Sequence, residues 1–174
     1  MASILNVDQI NNAAGTSAIT IDSSGNTLMP GHVIQVQRTE WSADNATSST
    51  SFIDTGRSVS ITPTSATSKI LVTVITGYWV TGSSGVSDYL ASTIYRNGTT
   101  NLGQPNDANY GVFLNRTGGQ DSNYTQMAIG QIYDSPATTS ATTYNYYVKT
   151  AAGNTIYYGD QRVWSSITAM EIAQ

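Results

Sequence analysis

The sequence predicts an all-β protein: a jelly-roll (Greek-key) β-sandwich carrying an extended N-terminal arm. Three observations lead there. Apolar and polar residues alternate with period two in many short runs, whereas helical periodicity is almost absent. Composition agrees, since 46 of 174 residues are Ser or Thr and 13 are Asn, while only 10% are charged and two of those are Lys. Surface helices favour Glu, Lys, Ala and Leu, so such a chain suits strands joined by turns. Turn signals then punctuate the runs at the spacing a sandwich of eight to ten short strands needs.

The arm comes first, residues 1–31. Ile4, Leu5, Val7, Ile10, Ile19, Ile21 and Leu28 are scattered through Asn, Ser, Thr and Gly, and Pro30-Gly31 closes the segment with a turn. These apolar residues have too few local partners to make a core, so they are the candidate particle-docking residues. Fully extended, the arm would reach roughly 100 Å.

Residues 32–174 make one domain large enough for a substantial core. Its candidate strands are 32–38, 51–54, 57–62, 69–80, 89–96, 110–115, 124–133, 143–150, 155–158 and 163–172. Between them lie the turn signals Asp54-Thr-Gly56, Asn97-Gly98, Gly118-Gly119, Asp134-Ser-Pro136 and Ala152-Gly-Asn154, of which Asn97-Gly98 is the strongest hairpin signal. The longest strand, Lys69 to Val80, is apolar on both faces: Ile70, Val72, Val74 and Tyr78 on one, Leu71, Ile75 and Trp79 on the other. An antiparallel sheet in a monomer normally leaves one face polar, so the second face is expected to meet a neighbouring subunit.

Tyrosine is abundant, eleven residues against two Phe, a bias expected at interfaces and wet binding surfaces. Tyr144 and Tyr146 join Leu71, Ile75 and Trp79 as candidate trimer-interface residues, and sugar stacking is a second use for such rings. Asp88, Asn106, Asp107 and Asn123 fall in Gly/Asn-rich loops where ligand recognition would sit.

Several function classes are disfavoured. The chain has net charge -4 and pI near 4.6, so it carries no basic patch for nucleic acid. It has no cysteine, which excludes disulfides and thiolate metal sites, and no run as long as a membrane span. No secretory signal pattern opens it, so synthesis in a host cytoplasm and release within a particle is expected. His32 is the only histidine and no nucleophile motif stands near it; a packed or interface role is expected. Asp107, Asp121 and Asp160 match no defensible acid–base spacing, and neither Asn106-Asp107 nor Asp121-Ser-Asn123 approaches the spacing of a calcium loop. No enzyme activity, cofactor or metal is expected.

The stretches Ile4-Leu-Asn-Val-Asp-Gln-Ile-Asn-Asn-Ala-Ala-Gly15, Thr16-Ser-Ala-Ile-Thr-Ile-Asp-Ser-Ser-Gly-Asn26 and Met29-Pro-Gly-His-Val-Ile-Gln-Val36 resemble the N-terminal segment of small fibre-type virion proteins of tailed bacteriophages. Ile61-Thr-Pro-Thr-Ser-Ala-Thr-Ser-Lys-Ile-Leu-Val72, Asp134-Ser-Pro136 leading to Thr143-Tyr-Asn-Tyr-Tyr147, and Ser166-Ile-Thr-Ala-Met-Glu-Ile172 resemble the trimeric C1q/tumour-necrosis-factor-like jelly rolls of such fibres. The resemblance implies a homotrimer on the virion surface, its arm docked to other virion proteins of tail or capsid and its head displayed. Two roles fit: a short fibre recognising the host surface, conceivably a glycan, or a decoration protein stabilising the phage head. A free-standing sugar-binding sandwich of a bacterial cell ranks below both.

Overall fold

The computed structural model describes residues 7–21, 23, 25, 27–80, 88–103, 111, 113–117, 126–159 and 163–174. All regular structure among them is β. In chain order the strands are β1 (Gln9–Asn11), β2 (Ser17–Ile21), β3 (Thr27–Leu28), β4 (Val33–Trp41), β5 (Asn45–Thr47), β6 (Ile53–Ile61) and β7 (Lys69–Val80). There follow β8 (Asp88–Arg96), β9 (Thr100–Asn101), β10 (Phe113–Thr117), β11 (Gln126–Asp134), β12 (Thr142–Thr150), β13 (Ile156–Tyr158) and β14 (Ser165–Ile172).

The head is a two-layer antiparallel sandwich. One sheet runs β4-β14-β7 with β11 on the far side of β7; the other runs β6-β12-β8-β10. Numbering these eight long strands along the chain, the orders are 1-8-3-6 and 2-7-4-5, the arrangement of a jelly roll. Short β13 and β5 extend the first sheet beyond the end of β14, to a total of six strands, and β9 pairs with β8 in the second.

Period two sets the core. On β7, Ile70, Val72, Val74, Thr76 and Tyr78 all point inward and are completely buried. They meet Val59 and Ile61 of β6, Leu90 and Ile94 of β8, Tyr144, Tyr146 and Val148 of β12, and Ile167 and Ala169 of β14. Each large apolar side chain so buried contributes about 1.5–3 kcal/mol.

Two expectations change. Residues 51–54 and 57–62 are one strand, not two: Arg57 faces Tyr146 while Asp54 faces Tyr147, leaving Thr55-Gly56 as a bulge. Gly56 supplies the positive φ of 70°, Asp54 Oδ1 accepts its N–H at 2.8 Å, and the Thr55 hydroxyl donates to the Tyr146 carbonyl at 2.7 Å. The expected turn is therefore an interruption within the ladder. Asn97-Gly98 does form the hairpin corner, with φ of 52° and 67°.

The arm also differs from an extended run. β1, β2 and β3 form a three-stranded antiparallel meander that pairs with no strand of the head. The Asn12 side chain causes the first reversal, its Oδ1 accepting N–H groups from Ala14 and Thr16 at 3.0 Å each. Gly15, at φ 80°, completes the turn.

Three buried carboxylates tie the head together. Glu171, on β14, accepts from Gln35 Nε2 at 2.7 Å, the Thr64 amide at 2.7 Å and the Thr64 hydroxyl at 2.8 Å. It fastens the β6–β7 loop and β4 to the terminal strand. Asp134 accepts two bonds from Arg96 Nη1, at 2.8 and 3.0 Å, and one from the Tyr144 hydroxyl at 2.8 Å. Asp88 accepts backbone N–H bonds from Tyr89 at 2.7 Å, Ala151 at 2.9 Å, Ala152 at 3.0 Å and Asn154 at 3.1 Å, with a further bond from Asn154 Nδ2 at 3.0 Å.

Burial by itself would raise the Glu171 pKa, but the donors of Gln35 and Thr64 outweigh it and hold the carboxyl below its ordinary range. Asp88 behaves likewise: burial raises, the Tyr89, Ala152 and Asn154 donors lower, and the net direction is down. A depressed folded pKa contributes stability that is present above the unfolded value and lost as pH falls through the folded one. Glu171→Ala should therefore lower unfolding free energy at neutral pH by about 3 kcal/mol, from buried donors left unpaired. In urea melts, the gap between wild type and Glu171→Gln should narrow as pH falls below the unfolded glutamate value of about 4.3 toward the lower value at which the folded carboxyl takes up its proton. An unchanged gap would contradict the assignment.

Candidate functional site

The two sheets present very different outer faces. On the β6-β12-β8 sheet, Ser58, Ser60, Thr143 and Asn145 share the outer side, together with Tyr95 and Tyr147, whose ring centroids lie 4.1 Å apart with planes tilted by 31°. That is the hydroxyl-rich face a solvated antiparallel sheet should show. Part of it is roofed: Ala91 and Thr93 of β8 are buried, with Gly103 and Asn101 packed close to Thr93 and Gly111 against Ser92.

The outer face of the β4-β14-β7-β11 sheet carries an apolar stretch, most continuous on β7 and β11. Pairing registers lay it out in rungs. One rung is Val36, Met170, Leu71 and Tyr133; the next is Arg38, Thr168, Thr73 and Gln131; a third is Glu40, Ser166, Ile75 and Ile129. Met127 lies opposite Gly77, and beyond it Trp79 stacks on Tyr157 with ring centroids 4.0 Å apart and planes within 8°. Ile129 is 64% exposed, Tyr133 58%, Val36 51% and Met127 48%. From Leu71 to Trp79 the face is roughly 27 Å long and, across four strands, about 15 Å wide. In outline the face covers about 400 Å2, and its apolar part centres on Leu71, Ile75, Met127, Ile129 and Tyr133 of β7 and β11.

Polar groups fill the middle rung of this face and take the β4 and β14 positions of the third, Glu40 and Ser166. Gln131 Nε2 donates to the Thr73 hydroxyl at 3.0 Å, and at the open edge Arg38 pairs with Glu40 at 2.8 Å, both side chains about half exposed. Such groups cost little in water and add register to a covering partner. The Trp79 indole N–H is buried beneath Tyr157 without a hydrogen-bond partner among the described residues.

The expected interface residues therefore divide. Leu71, Ile75 and Trp79 sit on the open apolar face, each partly exposed. Tyr144 and Tyr146 do not: both are completely buried between the sheets, where the β12 alternation turns even-numbered residues inward. Tyr144 is held by Asp134, and Tyr146 stacks on Trp41 at 6.4 Å beneath the Arg57 guanidinium, which lies 5.7 Å from the Trp41 ring. Tyrosine excess alone did not separate rings filling this core from rings lining a surface. Register across β7 did reveal Ile129, Met127, Tyr133, Val36 and Met170, whose period-two runs were visible in the sequence but whose shared face was not.

Asp88 is not a ligand residue either. It is 1% exposed and its carboxylate is occupied by the β8 start and the 151–154 turn. Asn106, Asp107 and Asn123 lie outside the described residues, as do Asp121, Asp160, Ile4 and Leu5. His32 is exposed at the foot of β4, its backbone joined to Met29 and Ala173, so it is not packed within the subunit. Trp164, 70% exposed, belongs to neither core nor ladder; Trp41 is core. Among the described residues no group of three or more His, Asp or Glu side chains is arranged to hold a metal ion.

No protein-family model matches the chain, and no curated protein does. Solved structures similar to it include the VP2 subviral particle of infectious bursal disease virus, at 12% identity and TM-score 0.45, and the Gx strain of that virus, at 13% and 0.44. Each comparison covers 84% of this chain and 34% of the other, so the chain spans about a third of those proteins. VP2 in T=1 particles aligns over 90% of this chain and 40% of its own at TM-score 0.41. The jelly-roll assignment rests on the strand order above.

The buried rings predict a delayed phenol titration. Burial pushes Tyr78, beside Gln126, up to about 12, and raises Tyr144, Tyr146 and Tyr158 as well. A raised folded pKa contributes stability present below about 10 and lost as pH climbs toward the folded value. Phenolate absorbance from Tyr78, Tyr144, Tyr146 and Tyr158 should appear only above the ordinary phenol range, as the fold gives way. Titration of all eleven tyrosines in one reversible step would contradict the core placement.

Proposed function

We propose that this chain is a non-enzymatic virion structural protein whose subunits associate through the outer face of the β4-β14-β7-β11 sheet. The observation that carries the reading is the inequality of the two outer faces. A solvated sheet face selects Ser, Thr and Asn, as the β6-β12-β8 face does, whereas Leu71, Ile75, Ile129 and Tyr133 select cover. Three copies per assembly is what the resemblance to fibre-type jelly rolls implies, and closed symmetry makes each copy bury the same patch. Within the particle, the arm fastens the oligomer to tail or capsid and the head is displayed for host-surface recognition. An unusual surface chemistry supports that setting: it is sparing in charge and rich in hydroxyls, with no cysteine to oxidise.

Ile129→Asp tests the association directly. Since the side chain is largely exposed in the subunit, the change should alter subunit folding by no more than about 0.5 kcal/mol. Placed in a covered apolar face it buries an unpaired charge, costing several kcal/mol and breaking the oligomer. Light scattering should therefore give a trimer for wild type and a folded monomer for Ile129→Asp, with β circular dichroism retained. A wild-type monomer at micromolar concentration, or a variant still trimeric, would refute the reading.

Recognition and decoration separate on the particle. If the head recognises a host, replacing Asn106, Asp107 and Asn123 together should abolish adsorption while particles stay intact. If the protein stabilises capsids, the same change should be silent and removal of the whole protein should leave heads sensitive to heat or low salt. Particles without it that adsorb normally and resist heat equally would defeat both roles.

A further inference from the structure

Among the described residues, the N-terminal meander carries an apolar side of its own, with Ile10 exposed and Ile19 and Ile21 partly exposed. Ile10 lies opposite Ile19 in the β1–β2 ladder, and Ile21, two residues further along β2, shares their side. Thr20, facing Gln9 and Leu28 on the neighbouring strands, occupies the other side. Ile10 is 48% exposed, and no described residue of the meander is fully buried. A sheet of this size cannot bury enough to be stable alone. Something must cover its isoleucines.

The root of the arm indicates what does. The Gly31 N–H donates to the Ala173 carbonyl and the Ala173 N–H to the His32 carbonyl, each at 2.9 Å, pinning the arm to the end of β14. β14 belongs to the sheet whose outer face carries Val36 opposite Met170 and Val33 opposite Ile172; Val36, Val33 and Met29, the last next to the root in sequence, are all at least 40% exposed. Copies meeting through that face bring their arm roots together. Between Leu28 and the pinned His32 only Met29, Pro30 and Gly31 intervene, a tether of about 10 Å. Held so closely, each meander meets its counterparts at an effective concentration on the order of millimolar.

We infer that the meanders of one oligomer cover one another, Ile10, Ile19 and Ile21 forming a shared apolar foot, so that docking to the particle uses the outside of that foot. The inference rests on the proposed association of the heads. It adds a second interface, built from a segment that does not fold by itself and is completed only by other copies of the chain.

The absence of cysteine makes the test clean. Ile10→Cys, Ile19→Cys and, on the opposite side, Thr20→Cys are each introduced singly into the full chain, and the purified protein, free of any other virion component, is oxidised under mild conditions. Two cysteines join only if their Cα atoms come within about 7 Å. The expected result is one disulfide per trimer for Ile10→Cys and Ile19→Cys, linking two of its three chains, and little for Thr20→Cys. A trimer by light scattering in which neither isoleucine position cross-links, or in which Thr20→Cys links as readily, overturns the shared foot while leaving the head association standing. A monomeric chain removes both. Should the cysteines loosen the foot, deuterium exchange of the unsubstituted trimer decides: slow exchange at Ile19 and Ile21 amides relative to Ile129→Asp monomer supports it, and equal exchange refutes it.

Discussion

Strand β7 carries the organisation of the head. Its alternation is strict over nearly its whole length, yet both sides are apolar, and no single sandwich can bury both. The inner side solves the folding problem: Ile70, Val72, Val74 and Tyr78 reach complete burial by meeting the opposite sheet. The outer side leaves a second problem, because β11 and β14 add Ile129, Tyr133 and Met170 to Leu71 and Ile75 on the same plane. A one-residue slip in register would exchange the two sets of side chains, so the ladder that fixes the core fixes the open face as well.

Few charges are spent in this chain, and several are spent inside. Glu171, Asp134 and Asp88 are each nearly or fully buried, and each is matched by donors from segments far apart in sequence. Their placement follows the topology. Glu171 joins the first long strand, the loop after the second and the last strand; Asp134 joins β8, β11 and β12; Asp88 closes the end of β8 against the turn after β12. Buried carboxylates satisfied in this way cost little if fully bonded and much if any partner is lost, which makes the jelly-roll connection pattern hard to exchange for another.

In the proposed assembly, geometry matters more than affinity at any one residue. The apolar stretch on β7 and β11 with its polar rung would give a partner both area and register, and the short tether from Leu28 to His32 would couple the heads to the arms. The edge strand β4 carries the Arg38–Glu40 pair, a charged edge of the kind that discourages indefinite strand addition.

Strand content, the two faces of β7, the hairpin at Asn97-Gly98 and the apolar scatter of the arm were legible in the sequence, because period two and turn chemistry are local properties of a few consecutive residues. What the sequence left open depended on register between distant strands. Asp54-Thr-Gly56 reads as a turn until β12 is laid beside it, when it becomes a bulge in one continuous strand. Tyr144 and Tyr146 read as surface rings until the inward side of β12 is known; Asp88 reads as a loop ligand until the 151–154 amides close on it. Ile129 and Tyr133 became part of a face only when nine consecutive pairs set β11 against β7. Hydrophobic patterning says that a side chain must be covered, whereas the cover itself is chosen by which strands the tertiary structure makes neighbours.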